Sequence, residues 1–350
     1  MNIEEQLQKI QSLNQKAKEK AIHHLNHLTK PVGSLGRLED LAIQLAGITD
    51  DPFATFEDKR VIIMAADHGI VAEGVSAFPQ EVTPQMVQNF LNEGAAINVM
   101  TKTVGAQVRC VDVGVASDIS SFEGMIHRKV AYGTKNFAKE EAMTNEEVRK
   151  AIQTGIDIAK EQVKDGAKVL ATGEMGIGNT TPSSAVLSVL AEIEPIEVVG
   201  AGTGLNEEQV VHKANVIKKA IDFHQPNRED AIDVLQKVGG LELAALCGLC
   251  LGAAMTKTPI VIDGFISTVS ALCAATIAPV AKEYMIPSHH SVEPGHSHAL
   301  EALGLDAYFP LHMRLGEGTG ATLAFPMIDM AANIMREMAS FESAGVTNKE

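Results

Sequence analysis

Apolar residues recur at Leu7, Ile10, Leu13, Ala17, Ala21 and Leu25 with polar residues between them. That three-to-four spacing marks one helical face and predicts an amphipathic helix ending at the Lys30-Pro31-Val32-Gly33 turn. A second helical pattern covers Leu38 to Ile48 and is broken by Thr49-Asp50-Asp51-Pro52. Beyond it the pattern changes. Short, apolar, β-branched runs at 60–66, 107–114, 167–173, 196–202 and 259–264 alternate with helical stretches, and each ends in glycine-rich or polar residues. Continuous apolar runs separated by helices are the mark of parallel strands buried on both faces. The expected fold is therefore α/β, a doubly wound, mainly parallel sheet of Rossmann-like type. Capping signals agree: Thr144 with Glu147 and Asn206 with Gln209 form capping boxes. Thr181-Pro182 reads as an N-cap followed by proline at the first helical position.

Composition narrows the function. The 350 residues carry 29 Lys and Arg against 44 Asp and Glu, a net charge of −15, which disfavours nucleic acid and anionic membrane surfaces as partners. Aromatic residues make up 4% and Trp is missing, so the core is expected to consist of Ala, Val, Ile, Leu and Met. The first twenty residues are charged and lack an apolar segment, and the weakly polar stretches at 241–255 and 270–281 are too short to span a membrane. A cytoplasmic protein with four reduced thiols is expected.

In an open parallel sheet, ligands bind beyond the carboxyl ends of the strands, which directs attention to the loops after the apolar runs. Residues 173–181, Gly-Glu-Met-Gly-Ile-Gly-Asn-Thr-Thr, follow one run and open a helix. Such a loop lets the backbone approach an anion and offers it uncapped N–H groups, although a tight strand-to-helix turn would look similar. It has no Walker lysine, which disfavours a nucleoside triphosphatase. A second cradle, Gly200-Ala201-Gly202-Thr203-Gly204, precedes a helix from Asn206. Lys213 lies on the same helical face, where its side chain leans back toward such a cradle, unless it is simply a solvated lysine. Glu317 sits among three glycines just before an apolar helix from Ala321. Partly desolvated beside Leu315, it would have a raised pKa suited to a general base; the alternative is a loop glutamate paired with Arg314. His289, His290, His296 and His298, with Asp67-His68, match no structural zinc spacing and have no thiol nearby, so no metal site is assigned. Cys247 and Cys250 fall within an apolar helical run and read as core thiols.

Taken together, Lys30-PVGSLGRLE, Ala66-DHGI with Ser76-AFPQEVT, GEMGIGNTT from Gly173, GAGTG from Gly200, Ile262-DGF and Arg314-LGEGTGA closely resemble the nicotinate-nucleotide–dimethylbenzimidazole phosphoribosyltransferase family. These matches run in order over nearly the whole chain. The resemblance implies a homodimer. It also implies a large Rossmann-like domain at 56–320 and a small helical lobe drawn from 1–55 and 321–350. The implied reaction converts nicotinate mononucleotide and 5,6-dimethylbenzimidazole into α-ribazole 5′-phosphate and nicotinate, in cobalamin lower-ligand synthesis, without cofactor or metal. By the same likeness Glu317 is the general base. Gly176, Gly178, Asn179, Thr180, Thr181, Gly202, Thr203, Gly204, Lys213, Asp263, Arg314, Gly316 and Gly318 lie around the mononucleotide. Ser76, Gln80, Gln88 and Leu315 are the candidates for the base pocket.

The chemistry suits these residues. A pyridinium leaving group is already cationic, so its departure needs no acid, and the developing oxocarbenium would benefit from a carboxylate such as Glu174 or Glu317. Two other readings compete: an N-glycoside hydrolase in which Glu317 activates water, and a nucleotide-sensing module with no use for a base at Glu317.

Overall fold

The computed structural model describes residues 3–202 and 204–347. In chain order the elements are α1 (Ile3–Leu7), α2 (Gln15–His27), α3 (Arg37–Thr49), β1 (Lys59–Ala66), α4 (Val82–Leu91), α5 (Ala96–Thr103), β2 (Gln107–Gly114), β3 (Ile126–His127), α6 (Asn145–Lys164), β4 (Val169–Met175) and α7 (Thr180–Leu190). They continue with α8 (Pro195–Val198), α9 (Glu207–His224), α10 (Ala231–Val238), α11 (Leu241–Met255), β5 (Ile260–Ile262), α12 (Phe265–Ile277), β6 (Met285–Pro287), α13 (Pro294–Leu303), α14 (Thr319–Glu337) and α15 (Phe341–Ala344).

The six strands form one sheet in the order β3-β2-β1-β4-β5-β6, every pairing parallel. β1 pairs with β2 on one side and with β4 on the other, where Met64 stands opposite Glu174. The winding direction reverses between β1 and β4, so the loops after these strands part and leave a crevice at their carboxyl ends. All eight residues of β1 are buried. Ile62, Met64 and Ala66 face a core built with α6, α7 and α9–α13, while Val61, Ile63 and Ala65 face a second core built with α2–α5 and α14. A strand packed on both faces has no use for alternating polar residues, which is why its sequence is continuously apolar.

The two ends of the chain meet on the second core. Thr29 N–H donates to the Ala339 carbonyl at 3.0 Å, and His24 Nε2 lies 2.8 Å from the Met335 carbonyl. Both capping boxes form as expected. Among the described residues no helix is long and apolar enough to cross a membrane. The four cysteines are unpaired and buried.

Three expectations need correction, and two short strands were not expected at all. The first helix is two, because the Asn14 side chain caps α2 by accepting from Ala17 N–H at 3.2 Å. Its apolar stripe is split accordingly, with Ile3 and Leu13 in one core and Ala21 and Leu25 in the other. The apolar run at 196–202 is not a strand: Pro195 opens the short helix α8, and Val198 and Val199 are buried against the first core rather than paired in the sheet. A short apolar run looks the same in either setting. Helix α7 begins at Thr180 with Asn179 as its N-cap, so Pro182 is the third helical residue, still among the positions whose N–H has no helical acceptor. Finally, β3 and β6 have two and three residues, too few to leave a pattern.

Candidate active site

A cleft of about 390 Å³ opens at the carboxyl ends of β4, β5 and β6. Three segments close around it: 174–180 from the end of β4 to the start of α7, 263–267 from the end of β5 into α12, and 314–317 before α14, with Gly202 at its rim. The second cradle is described here by Gly202 and Gly204, since Thr203 lies outside the described residues.

Glu317 is the focus of the arrangement. Residues 316, 317 and 318 all have positive φ, at 83°, 64° and 86°. A glutamate between two glycines is thereby held in a left-handed conformation that costs a non-glycine residue energy. What holds it there is visible. Asp263, at the end of β5, accepts from Gly318 N–H at 3.1 Å and Ala321 N–H at 2.9 Å, capping α14. Glu174 on β4 accepts from Glu317 N–H at 3.2 Å, and its other oxygen accepts from the Asn179 amide. The close fit explains Gly316, where an added Cβ would lie 2.2 Å from Glu174 Oε1.

The side chain of Glu317 is 7% exposed and lines the cleft, and among the described residues no donor reaches its carboxylate. Burial, with the nearby charge of Asp263, pushes its carboxyl up to about 7. It does not pair with Arg314, whose guanidinium donates to the Gly202 carbonyl at 2.8 Å and joins the two loops. Burial also pushes Glu174 up to about 8, against the opposing effect of its N–H donors.

Lys213 is 1% exposed, not a solvated lysine, and donates to Thr180 Oγ1 at 2.7 Å. Burial lowers its pKa to about 8. Lys213 does not itself line the cleft but stands behind Thr180 at the start of α7, where helix N–H groups and a buried ammonium both suit an anion.

Of the expected nucleotide residues, Gly176, Asn179, Thr180, Gly202, Asp263, Arg314 and Gly316 line the cleft. Thr181 lies behind them, fully buried, and Gly178 packs against Val71. Leu315 lines the cleft and is 56% exposed. The other candidates for the base pocket stand apart from the cleft wall: Ser76 Oγ donates to the Phe78 carbonyl at 3.1 Å, Gln80 precedes α4, and Gln88 donates to Asn92 Oδ1 at 3.0 Å. In their place Phe78, Val82, Met86, Met175 and Ile177 form an apolar wall. Their type is indistinguishable from core residues in sequence: all but Met86 lay within the motifs at 76–83 and 173–181, where the polar residues drew attention instead. His289, Ser291 and Glu293 also reach the cleft. Two other histidines of that segment are satisfied separately: His296 lies 3.0 Å from Thr268 Oγ1 and 2.8 Å from Ser291 N, and His290 lies 3.0 Å from Ser297 Oγ.

The chain is similar to known proteins over nearly its whole length. A family model described as phosphoribosyltransferase matches residues 10–346. The nicotinate-nucleotide–dimethylbenzimidazole phosphoribosyltransferase of Halalkalibacterium halodurans is 50% identical over 345 residues, covering 99% of this chain and 96% of that protein. The protein of the same name from Chloroflexus aggregans is 52% identical over 323 residues, covering 92% of each. A crystal structure of the Thermus thermophilus protein of that name superposes with a TM-score of 0.91 at 41% identity, covering 96% of this chain and all of that one. The chain belongs to the nicotinate-nucleotide–dimethylbenzimidazole phosphoribosyltransferase family.

Proposed function

We propose that this protein transfers the 5-phosphoribosyl group of nicotinate mononucleotide to 5,6-dimethylbenzimidazole, giving α-ribazole 5′-phosphate and nicotinate. The observation that carries the reading is Glu317: a buried carboxylate without a donor of its own, opening on the same cleft as an anion cradle and an apolar wall.

The phosphate is held at the start of α7 by main-chain N–H groups and by Lys213 through Thr180. The dimethylbenzimidazole ring lies on the wall of Phe78, Met86 and Leu315. Its unprotonated nitrogen attacks C1′ from the face opposite the pyridinium, and the C1′–N bond breaks with its electron pair returning to the departing ring, so β becomes α. Glu317 takes the proton from the other ring nitrogen. A carboxyl with a pKa near 7 is matched to that task, being ionised in useful amount while still basic enough to accept a proton. Glu174 has a separate part: both of its oxygens are engaged, so it positions Glu317 and Asn179 rather than moving a proton.

Purified protein given nicotinate mononucleotide and a panel of azoles and phenols is expected to yield the riboside phosphate of the added base, identified by mass spectrometry. Ribose 5-phosphate formed whether or not a base is present would make it a hydrolase, and binding without turnover a sensor. The reading also includes a cytoplasmic homodimer, supported by the unpaired cysteines and the family likeness, with sedimentation velocity as the test of the dimer.

A further inference from the structure

Beneath the anion cradle lies a pair that the mechanism above does not use. His68, just after β1, and Glu242, in the first turn of α11, meet at 2.6 Å, and both side chains are fully buried. Neither lines the cleft. The other polar atom of each, His68 Nδ1 and Glu242 Oε2, has no partner. A buried ion pair with unsatisfied atoms is a poor source of stability, since apolar residues of similar volume usually serve as well or better.

What the pair touches is informative. A Cβ added to Gly176 would lie 2.4 Å from the Ala66 carbonyl, 3.1 Å from His68 Nε2 and 3.2 Å from Glu242 Oε1. The Ala66 carbonyl, with the pair just behind it, therefore leaves no room for a side chain at Gly176. A Cβ on Gly240 would lie 2.6 Å from His68 Cε1, so a second glycine makes room for the same imidazole. The neighbouring residue of the turn is tethered as well: Ile177 N–H donates to Thr83 Oγ1 at 3.1 Å.

We propose that His68 and Glu242 are a positioning pair, which sets the height and path of the turn 176–178 so that the start of α7 meets the substrate phosphate. Each ring or carboxylate is fixed by the other, and together they form a rigid stop against which Gly176 rests. Burial opposes a charge on His68, but the charge and hydrogen bond of Glu242 outweigh it and raise its pKa. The inference deepens the proposed function and rests on its placement of the phosphate.

The test is a split between substrates. Glu242→Ala removes half of the stop, and the KM for nicotinate mononucleotide is expected to rise tenfold or more while the KM for dimethylbenzimidazole stays within twofold. Glu242→Gln, whose amide oxygen can still accept from His68, is expected to bring the nucleotide KM back to within about threefold of wild type. A pair with only a structural role would instead lower the active fraction and leave both KM values alone; that result, or an equal rise in both, overturns the proposal. Should Glu242→Ala fail to fold, His68→Asn, which keeps a donor but shortens the reach, is judged by the same split. Titration calorimetry with inorganic phosphate separates this inference from the assignment of the reaction. Phosphate affinity is expected to fall tenfold or more in the variant whether or not the wild type turns over, and an unchanged affinity refutes the pair's role.

Discussion

Replacing Glu317 by Gln should abolish most turnover and, at the same time, stabilise the protein above neutral pH. Loss of a general base costs 10²- to 10⁴-fold, or about 3–5 kcal/mol of transition-state stabilisation. The stability effect comes from the same burial that makes the residue a base. With a folded-state pKa of about 7 against the ordinary carboxyl value of 4.5, the folded protein holds this proton more tightly than the unfolded chain. For an acid raised in this way, stability is fully present below pH 4.5, declines as pH climbs to about 7 and is level beyond it. The gap between these two values corresponds to about 3 kcal/mol, which ionised Glu317 withdraws from the fold and Gln does not. In a chain of 350 residues that is about 4 °C in Tm. The assay is a pair of pH series from 5 to 9: kcat with saturating nicotinate mononucleotide and dimethylbenzimidazole, and calorimetric Tm. Wild-type kcat should rise with pH through about 7, and the variant should show no such rise. The Tm advantage of the variant should be small at pH 5 and near full size at pH 8. Turnover close to wild type, or a Tm difference that does not change with pH, would refute the assignment of Glu317 as a buried base.

Other expectations follow from the same loops. Gly316→Ala places a Cβ 2.2 Å from Glu174 Oε1 at a φ of 83°, so turnover should fall by about 10²-fold or more, with a stability loss of about 1–3 kcal/mol in urea melts. Lys213→Met removes a buried cation whose pKa is lowered to about 8. The KM for nicotinate mononucleotide should rise about tenfold while Tm holds or increases, and the rise in wild-type KM above pH 8 should vanish. Phe78→Ala and Leu315→Ala, each trimming the apolar wall, should raise the KM for dimethylbenzimidazole by about three- to tenfold and leave the nucleotide KM unchanged; equal effects on both would place the base elsewhere.

Most of the sheet and the ends of its strands were legible in the chain. β1, β2, β4 and β5 announce themselves because burial on both faces demands unbroken apolar runs, and α6 and α9 because their capping boxes are local chemistry. Asn14, Pro195 and the short strands were not, since each depends on which core or neighbouring strand the chain meets. The candidate site divides in the same way. The loops at 173–181 and 314–318 were conspicuous because carboxylates, glycines and hydroxyls crowd positions where packing alone would not place them. The apolar wall was hidden, because Met86 and Phe78 differ from core residues only in facing a cleft.

The sequence by itself determined that strands alternate with helices and that two carboxylates and several glycine-rich turns precede helices, with a lysine on the helix after one of them, because periodicity and capping act over a few residues. Tertiary structure alone decided which carboxylate is free. Glu174 and Asp263 spend their oxygens on main-chain and amide donors from loops 55 to 143 residues distant, or on Asn179 next door, while Glu317 keeps its own open to the cleft. Hydrogen bonds and desolvation depend on distance in space, and no local pattern in the chain encodes it.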